Sequence, residues 1–194
     1  MMKFLFDYTL AIIVIFLAWP LMGVIAILIK ITSSGPILFK QKRVGKNGRI
    51  FTIYKYRTMY QGAEKDQKKY LKENEADDPV FKLHNDPRFV GIGKYLAKSG
   101  LDELPQVFNI LKGEMSWVGP RPLPVDEARR LAKWQKKREE ILPGITSAWV
   151  VNGKHKLGFS DWMRLDIRYI NEYSLLYDLK VLLKTLFLIL ANLK

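Results

Sequence analysis

From Phe4 to Ile29 the chain reads FLFDYTLAIIVIFLAWPLMGVIAILI, apolar except for Asp7, Tyr8 and Thr9. As one helix this run would extend about 39 Å at ~1.5 Å per residue, longer than a hydrocarbon core of about 30 Å. It reads as a membrane element around which the rest of the fold must be organised. A secretory signal peptide fits less well: the run is too long for an h-region, only Lys3 precedes it, and no small-residue cleavage site follows. Pro20 lacks an N–H and its ring crowds the preceding turn. That predicts a helix broken into limbs of about 24 Å and 15 Å, neither long enough to span. Lys3, partly offset by Asp7, lies before the break, and Lys30, Lys40, Lys42, Arg43, Lys46 and Arg49 follow the run. Cations at both ends favour a re-entrant element with both ends cytoplasmic; a kinked single-pass helix is the alternative.

At 194 residues the chain has room for one catalytic unit with a core, not for two ordinary domains. We expect residues 1–31 to form the membrane element and 32–194 a cytoplasmic domain. The formal net charge of +13 calls for polyanionic company: nucleic acid, an anionic lipid surface, or a phosphorylated substrate. The absence of cysteine excludes a disulfide framework, a zinc–thiolate site and a thiol nucleophile. His84 and His155 have no ligand-spaced partners, and Asp77 and Asp78, ahead of Pro79, read as turn residues rather than metal ligands.

The segment SSGPILFKQKRVGKNGRIFTIYKYRTM carries two β-branched and aromatic runs around Gly-Lys-Asn-Gly, the pattern of a hairpin. Lys55 and Arg57 alternate with Tyr54 and Tyr56, so a strand places both cations on one face, either solvated or functional. Residues 62–78 are highly charged with almost no apolar face, as in an exposed helix or loop. The stretch VDEARRLAKWQKKREE, 125–140, reads as a basic helix with a solvated or headgroup-facing surface. Near the end, 181–193 is strongly apolar but too short to span comfortably, so an interfacial or packing helix is expected. The fold class is α/β, mostly α with a small β-hairpin.

In SGLDELPQVFNILKGEMSWVGPRP, 99–122, two adjacent carboxylates stand in a heavily basic chain. Leu104, Val107, Phe108 and Leu111 have helical spacing, which starts a helix at Asp102 or Glu103 with Pro105 in its first turn and Asp102 as N-cap. Both acids then have a plain reading, as cap and as dipole partner. They also have a chemical one: a carboxylate at a helix N-terminus stays ionised, and an ionised Asp attacks phosphorus to give an acyl phosphate. The neighbouring acid holds a divalent cation that neutralises the diphosphate. Arg121, fixed between two prolines, offers a planar fork for phosphate.

An apolar segment broken by proline, then KYRTM, LDELPQVFNILKGEMSWVGPRP, PGIT and SLLYDLK in that order, resembles the bacterial sugar transferase family of monotopic phosphoglycosyl transferases, over nearly the whole chain. The resemblance implies transfer of a sugar 1-phosphate from a UDP-sugar to polyprenyl phosphate, with release of UMP. It also implies a need for Mg²⁺ and a re-entrant helix at the cytoplasmic face of the bacterial inner membrane. By position it makes Asp102 the nucleophile and Glu103 its partner, both at the metal, with Arg121 at the nucleotide diphosphate. Lys55 and Arg57 fall in the basic motif, Lys154 at the end of GITSAWVVNGK, and Asp178 in the acidic position of SLLYDLK, all taken as substrate-binding. The chain departs from the family pattern at Ala97, Ser147, Val150 and Lys154, where arginine, glycine, glutamine and arginine are common. A lysine at 154 cannot replace a guanidinium fork.

Two rivals are a membrane-tethered nucleic-acid binder using Tyr54, Tyr56 and Trp134, and a noncatalytic membrane scaffold. Neither accounts for the acidic pair together with GPRP. The expected partners are thus a UDP-sugar, polyprenyl phosphate and a phospholipid membrane, without nucleic acid. No Gly-rich Walker pattern occurs, and exchanging one phosphoanhydride for another needs no ATP.

Overall fold

A computed structural model describes residues 2–83, 85–153 and 157–192. The chain opens with helix α1, Met2–Thr32, and continues with strands β1, Leu38–Val44, and β2, Ile50–Tyr56. Short helices α2, Ala63–Asp66, α3, Gly93–Ser99, and α4, Val107–Leu111, follow. Then come β3, Ser116–Val118, α5, Val125–Arg129, β4, Gly144–Thr146, and α6, Ala148–Val151. Two longer helices close the fold, α7, Phe159–Glu172, and α8, Leu175–Asn192. Mostly helical with little sheet, this agrees with the α/β class expected.

α1 is one helix with Pro20 inside it, so the expected break at Pro20 is not an interruption. Proline removes one N–H and crowds one carbonyl, but the surrounding i→i−4 bonds have no better partner in an apolar setting, and the chain keeps them. Asp7, Ala11, Ile25 and Ile29 are buried, with Lys3, Val14, Ala18 and Met22 half-buried between them. These three- and four-residue steps draw a single stripe along one side of the helix. Ala11 packs with Phe51, Ile53, Val107, Ile110 and Met115, and Ile25 and Ile29 pack with Tyr56 and Leu96. Both ends of α1 therefore rest on the same folded body. Its other side stays apolar and bare: Phe16, Leu17, Trp19 and Ile27 are all exposed.

The hairpin forms as the sequence indicates, antiparallel with Val44 opposite Ile50 and Leu38 opposite Tyr56. Its turn uses left-handed backbone at Asn47 and Gly48, residue types that tolerate it. Asn109 fastens α4 to β2: its amide donates to Thr52 O at 2.7 Å, and its Oδ1 accepts from Tyr54 N at 3.2 Å. The second pair, β3 and β4, is parallel, with Ser116 opposite Gly144 and Val118 opposite Thr146. A Cβ on Gly144 would sit 2.1 Å from Gly119 N, so only glycine lets the WVGPRP and PGIT backbones meet.

Two helical expectations are corrected. The stretch from 125 to 140 is not one helix: α5 ends at Arg129, and a separate 3₁₀ turn covers Gln135–Glu140. Arg138 in that turn is buried rather than turned to solvent or lipid, because Asp166 of α7 draws its guanidinium inward with bonds of 2.6 and 3.0 Å. The helix expected at Asp102 is a 3₁₀ turn, Leu101–Gln106, followed by the five-residue α4. Of its expected apolar face, Val107 is buried but Phe108 is exposed.

Candidate active site

The acidic pair sits in that tight turn. Gly100, with φ of 77°, precedes it, and no side chain caps the turn, so the expected N-cap role of Asp102 is not found. A turn this short has little dipole to offer an anion; the positive charge comes from side chains. Lys55 Nζ lies 2.6 Å from Glu103 Oε1 and 3.6 Å from Asp102 Oδ2. Arg121 Nη2 reaches the same Glu103 oxygen at 2.9 Å. β2 delivers Lys55, held by the Asn109 clasp, and the Gly119–Gly144 approach delivers Arg121. The three motifs KYR, LDELP and GPRP thus converge on one point.

Burial pushes the Asp102 carboxyl above its ordinary range, with Lys55 opposing and the Glu103 charge adding to the rise. Burial acts upward on Glu103 too, but Arg121 and Lys55 outweigh it and hold that carboxyl well below the usual carboxylate range. The same carboxylate raises Arg121. The neighbours are therefore unequal: Glu103 is the fixed charge, and Asp102 is the less committed, more basic oxygen donor.

The pair opens on a cleft of about 340 Å³ whose walls include Lys98, Thr146, Trp149, Thr185 and Leu188. Ala97, where arginine is common in the family pattern, also lines it, so that position supplies a methyl group and no charge. Ser147 caps α6, accepting from Val150 N at 3.3 Å, and Val150 faces the cleft.

Two of the remaining predicted residues, Arg57 and Asp178, do not join this cluster. Arg57 is buried and donates to Ser33 O at 2.9 Å, to Ser33 Oγ at 2.7 Å and to Ser34 O, closing the end of α1. Asp178 is buried, accepting from Lys3 Nζ at 2.5 Å and from the Tyr169 hydroxyl at 2.5 Å, which ties α8 to the start of α1. Lys154 lies outside the described residues, as do His84 and His155. Tyr54 accepts from Lys112, and Tyr56 donates its hydroxyl to Met22 O at 2.9 Å; two of the three aromatics considered for nucleic-acid binding are thus engaged within the fold, while Trp134 is exposed.

Sequence reasoning missed the support behind Arg121. Arg138 Nη2 donates to Arg121 O at 2.7 Å while holding Asp166, and Arg43 Nη1 donates to Pro122 O at 2.9 Å. No local pattern marks these contacts, since they join segments far apart in the chain.

For the metal that the resemblance implies, no group of three or more His, Cys or acidic side chains gathers among the described residues. Asp102 and Glu103 fit a Mg²⁺ ion nonetheless. Lys55 and Arg121 both engage Glu103 Oε1, and Lys55 meets Asp102 through Oδ2. One oxygen of each acid is left over, and Mg²⁺ commonly takes only one or two carboxylates, completing its shell with substrate phosphates and water.

Residues 1–192 match the bacterial sugar transferase family, and the chain belongs to that family. It is 45% identical over 159 residues to the galactosyl transferase CpsE of Streptococcus agalactiae, covering 81% of this chain and 35% of the relative. It is 37% identical over 193 residues to the undecaprenyl-phosphate galactose phosphotransferase of Salmonella typhimurium, covering 95% and 39%. Against the UDP-glucose:undecaprenyl-phosphate glucose-1-phosphate transferase of Escherichia coli it is 34% identical over 192 residues, covering 93% and 38%. The chain spans well under half the length of these relatives.

Proposed function

We propose that the chain transfers a sugar 1-phosphate from a UDP-sugar to polyprenyl phosphate, through a covalent intermediate on Asp102. The observation that carries this reading is the unequal acidic pair, Asp102 and Glu103, gripped by Lys55 and Arg121 at the wall of a cleft. Relatives named for galactose and glucose transfer to undecaprenyl phosphate support the reaction class and leave the sugar open.

In this mechanism an Asp102 oxygen attacks the sugar-bearing phosphorus of the donor. The P–O bond to the second phosphate breaks, and UMP leaves with that bond's electron pair. Arg121 and Lys55 meet the charge growing on the leaving phosphate. A phosphate oxygen of the lipid then attacks the same phosphorus, the bond to Asp102 breaks, and the carboxylate is restored. Glu103 stays ionised throughout and holds both cations in place. Mg²⁺ on the two carboxylates would supply charge neutralisation on the diphosphate.

Enzyme incubated with sugar-labelled UDP-sugar and no acceptor should release UMP and retain label on Asp102. Asp102→Asn should abolish both. Turnover surviving in Asp102→Asn would refute the intermediate.

The same proposal places α1 in the membrane at the cytoplasmic face with both of its ends on that one side. A helix that crossed the bilayer would put its two ends on opposite sides, yet Lys3 bonds to Asp178 and Ile29 packs near Tyr56 on one body. Because the chain has no cysteine, single cysteines at Met2 and Lys46 can be probed with an impermeant thiol reagent. Both should react only after cells are permeabilised; labelling of the Met2 site alone in intact cells would establish a spanning helix.

A further inference from the structure

A groove of about 400 Å³ lies on α8, lined by Val151, Leu183, Lys184, Phe187 and Leu188. Leu188 also lines the cleft that holds Asp102. Leu183 and Phe187, one helical turn apart, are 59% and 72% exposed. Lys184 on the groove and Lys98 on the cleft wall have no ion-pair partner among the described residues, and both are exposed.

We infer that this groove is the entry and tail site for the lipid acceptor, a long isoprenoid phosphate; the inference rests on the proposed function. The occupant must be apolar along its length, because four of the five lining residues are. It must carry one anionic end, because the fifth, Lys184, stands a single turn of about 5.4 Å before the shared Leu188. Its phosphate must then reach Asp102 past Leu188, the side chain that borders both hollows. A nucleotide sugar lacks the tail, and a neutral lipid lacks the head. The phosphate passes Lys184, enters beside Leu188 with Lys98 on the cleft wall, and the isoprenoid stays outside against Leu183 and Phe187. The donor thus uses the charged end of the cleft around Arg121, and the acceptor uses the α8 end.

The test separates the two half-reactions in detergent, so that membrane attachment does not limit the result. The variants are Lys184→Glu, and Leu183→Asn together with Phe187→Asn, all at exposed positions. Each should release UMP from the donor without acceptor as the wild type does, while the KM for undecaprenyl phosphate rises roughly tenfold or more, the scale set by one lost charge contact or a few lost apolar ones. With geranyl phosphate, which has too little chain to cover the groove, the apolar double variant should match the wild type and Lys184→Glu should still be impaired. Lys184→Arg should restore the undecaprenyl phosphate KM. Variants that float less well with phosphatidylglycerol vesicles but keep a wild-type acceptor KM would make the groove a bilayer contact alone and overturn the inference. A wild-type protein that releases no UMP from any UDP-sugar overturns the proposed function, and this inference with it.

Discussion

Two buried ionic groups lie on either side of Arg121 and are built to opposite ends. In the Arg138–Asp166 pair both partners are almost fully buried, one carboxylate oxygen takes two guanidinium bonds, and Nη2 also donates to Arg121 O. Arg138 borders only a hollow of about 10 Å³. The Asp102–Glu103 group has two cations on a single oxygen, leaves oxygens over, and opens on the cleft. Burial lifts Asp166 to about 6 against the pull of Arg138, and it lifts Asp102 as well, so an upward shift does not by itself mark the reactive acid. What separates the two is the access of Asp102 to the cleft.

That contrast breaks if substitutions on the two sides behave alike. Asp102→Asn should cost on the order of 10⁴-fold or more in turnover, about 5.4 kcal/mol of barrier, with the unfolding transition in detergent almost unmoved. Arg138→Met should do the reverse in kind: removing one partner of a buried pair costs about 3–5 kcal/mol of stability, read by thermal or denaturant unfolding. Adding Asp166→Leu should recover part of that loss, since an apolar pair no longer strands a charge. A wild-type melting curve for Arg138→Met would remove the structural reading of that pair.

Smaller effects sharpen the comparison. Arg121→Lys keeps the charge but loses the planar fork, and one lost charge-assisted bond of about 1.5–3 kcal/mol should lower turnover at subsaturating donor by at least roughly tenfold. Wild-type kinetics there would assign Arg121 to holding Glu103 alone. Ser147→Ala removes the cap of α6 and should cost about 1 kcal/mol of stability, with little change in the donor half-reaction.

The sequence was most readable where neighbours in the chain are neighbours in space. The hairpin followed from alternating β-branched residues around Gly-Lys-Asn-Gly, and Lys55 from its place on that strand. Arg57, two residues on, was expected to work beside it by strand parity. But β2 ends at Tyr56, and the three carbonyl and hydroxyl oxygens at Ser33 and Ser34 outcompete the cleft for its guanidinium. Asp102 and Glu103 were legible as a pair, yet their geometry was not: a left-handed Gly100 and Pro105 favour a tight turn over the α-helix that the apolar spacing suggested. Arg138 looked like one of many cations in a basic stretch, and only the tertiary placement of Asp166, 28 positions later, turns it inward. Asp178 stood out by resemblance, but its partner Lys3 is 175 positions away, beyond any local pattern.

The last of these pairs bears on how the molecule comes into being. Lys3 leaves the ribosome 175 residues ahead of Asp178, which at about 5–20 residues per second follows roughly nine to thirty-five seconds later. For that interval the amino-terminal helix exists without the contact that ties its start to α8. A closure joining such distant segments is slow to form, so under the membrane placement proposed above the bilayer, rather than the finished domain, shelters the apolar helix while the remainder of the chain is made.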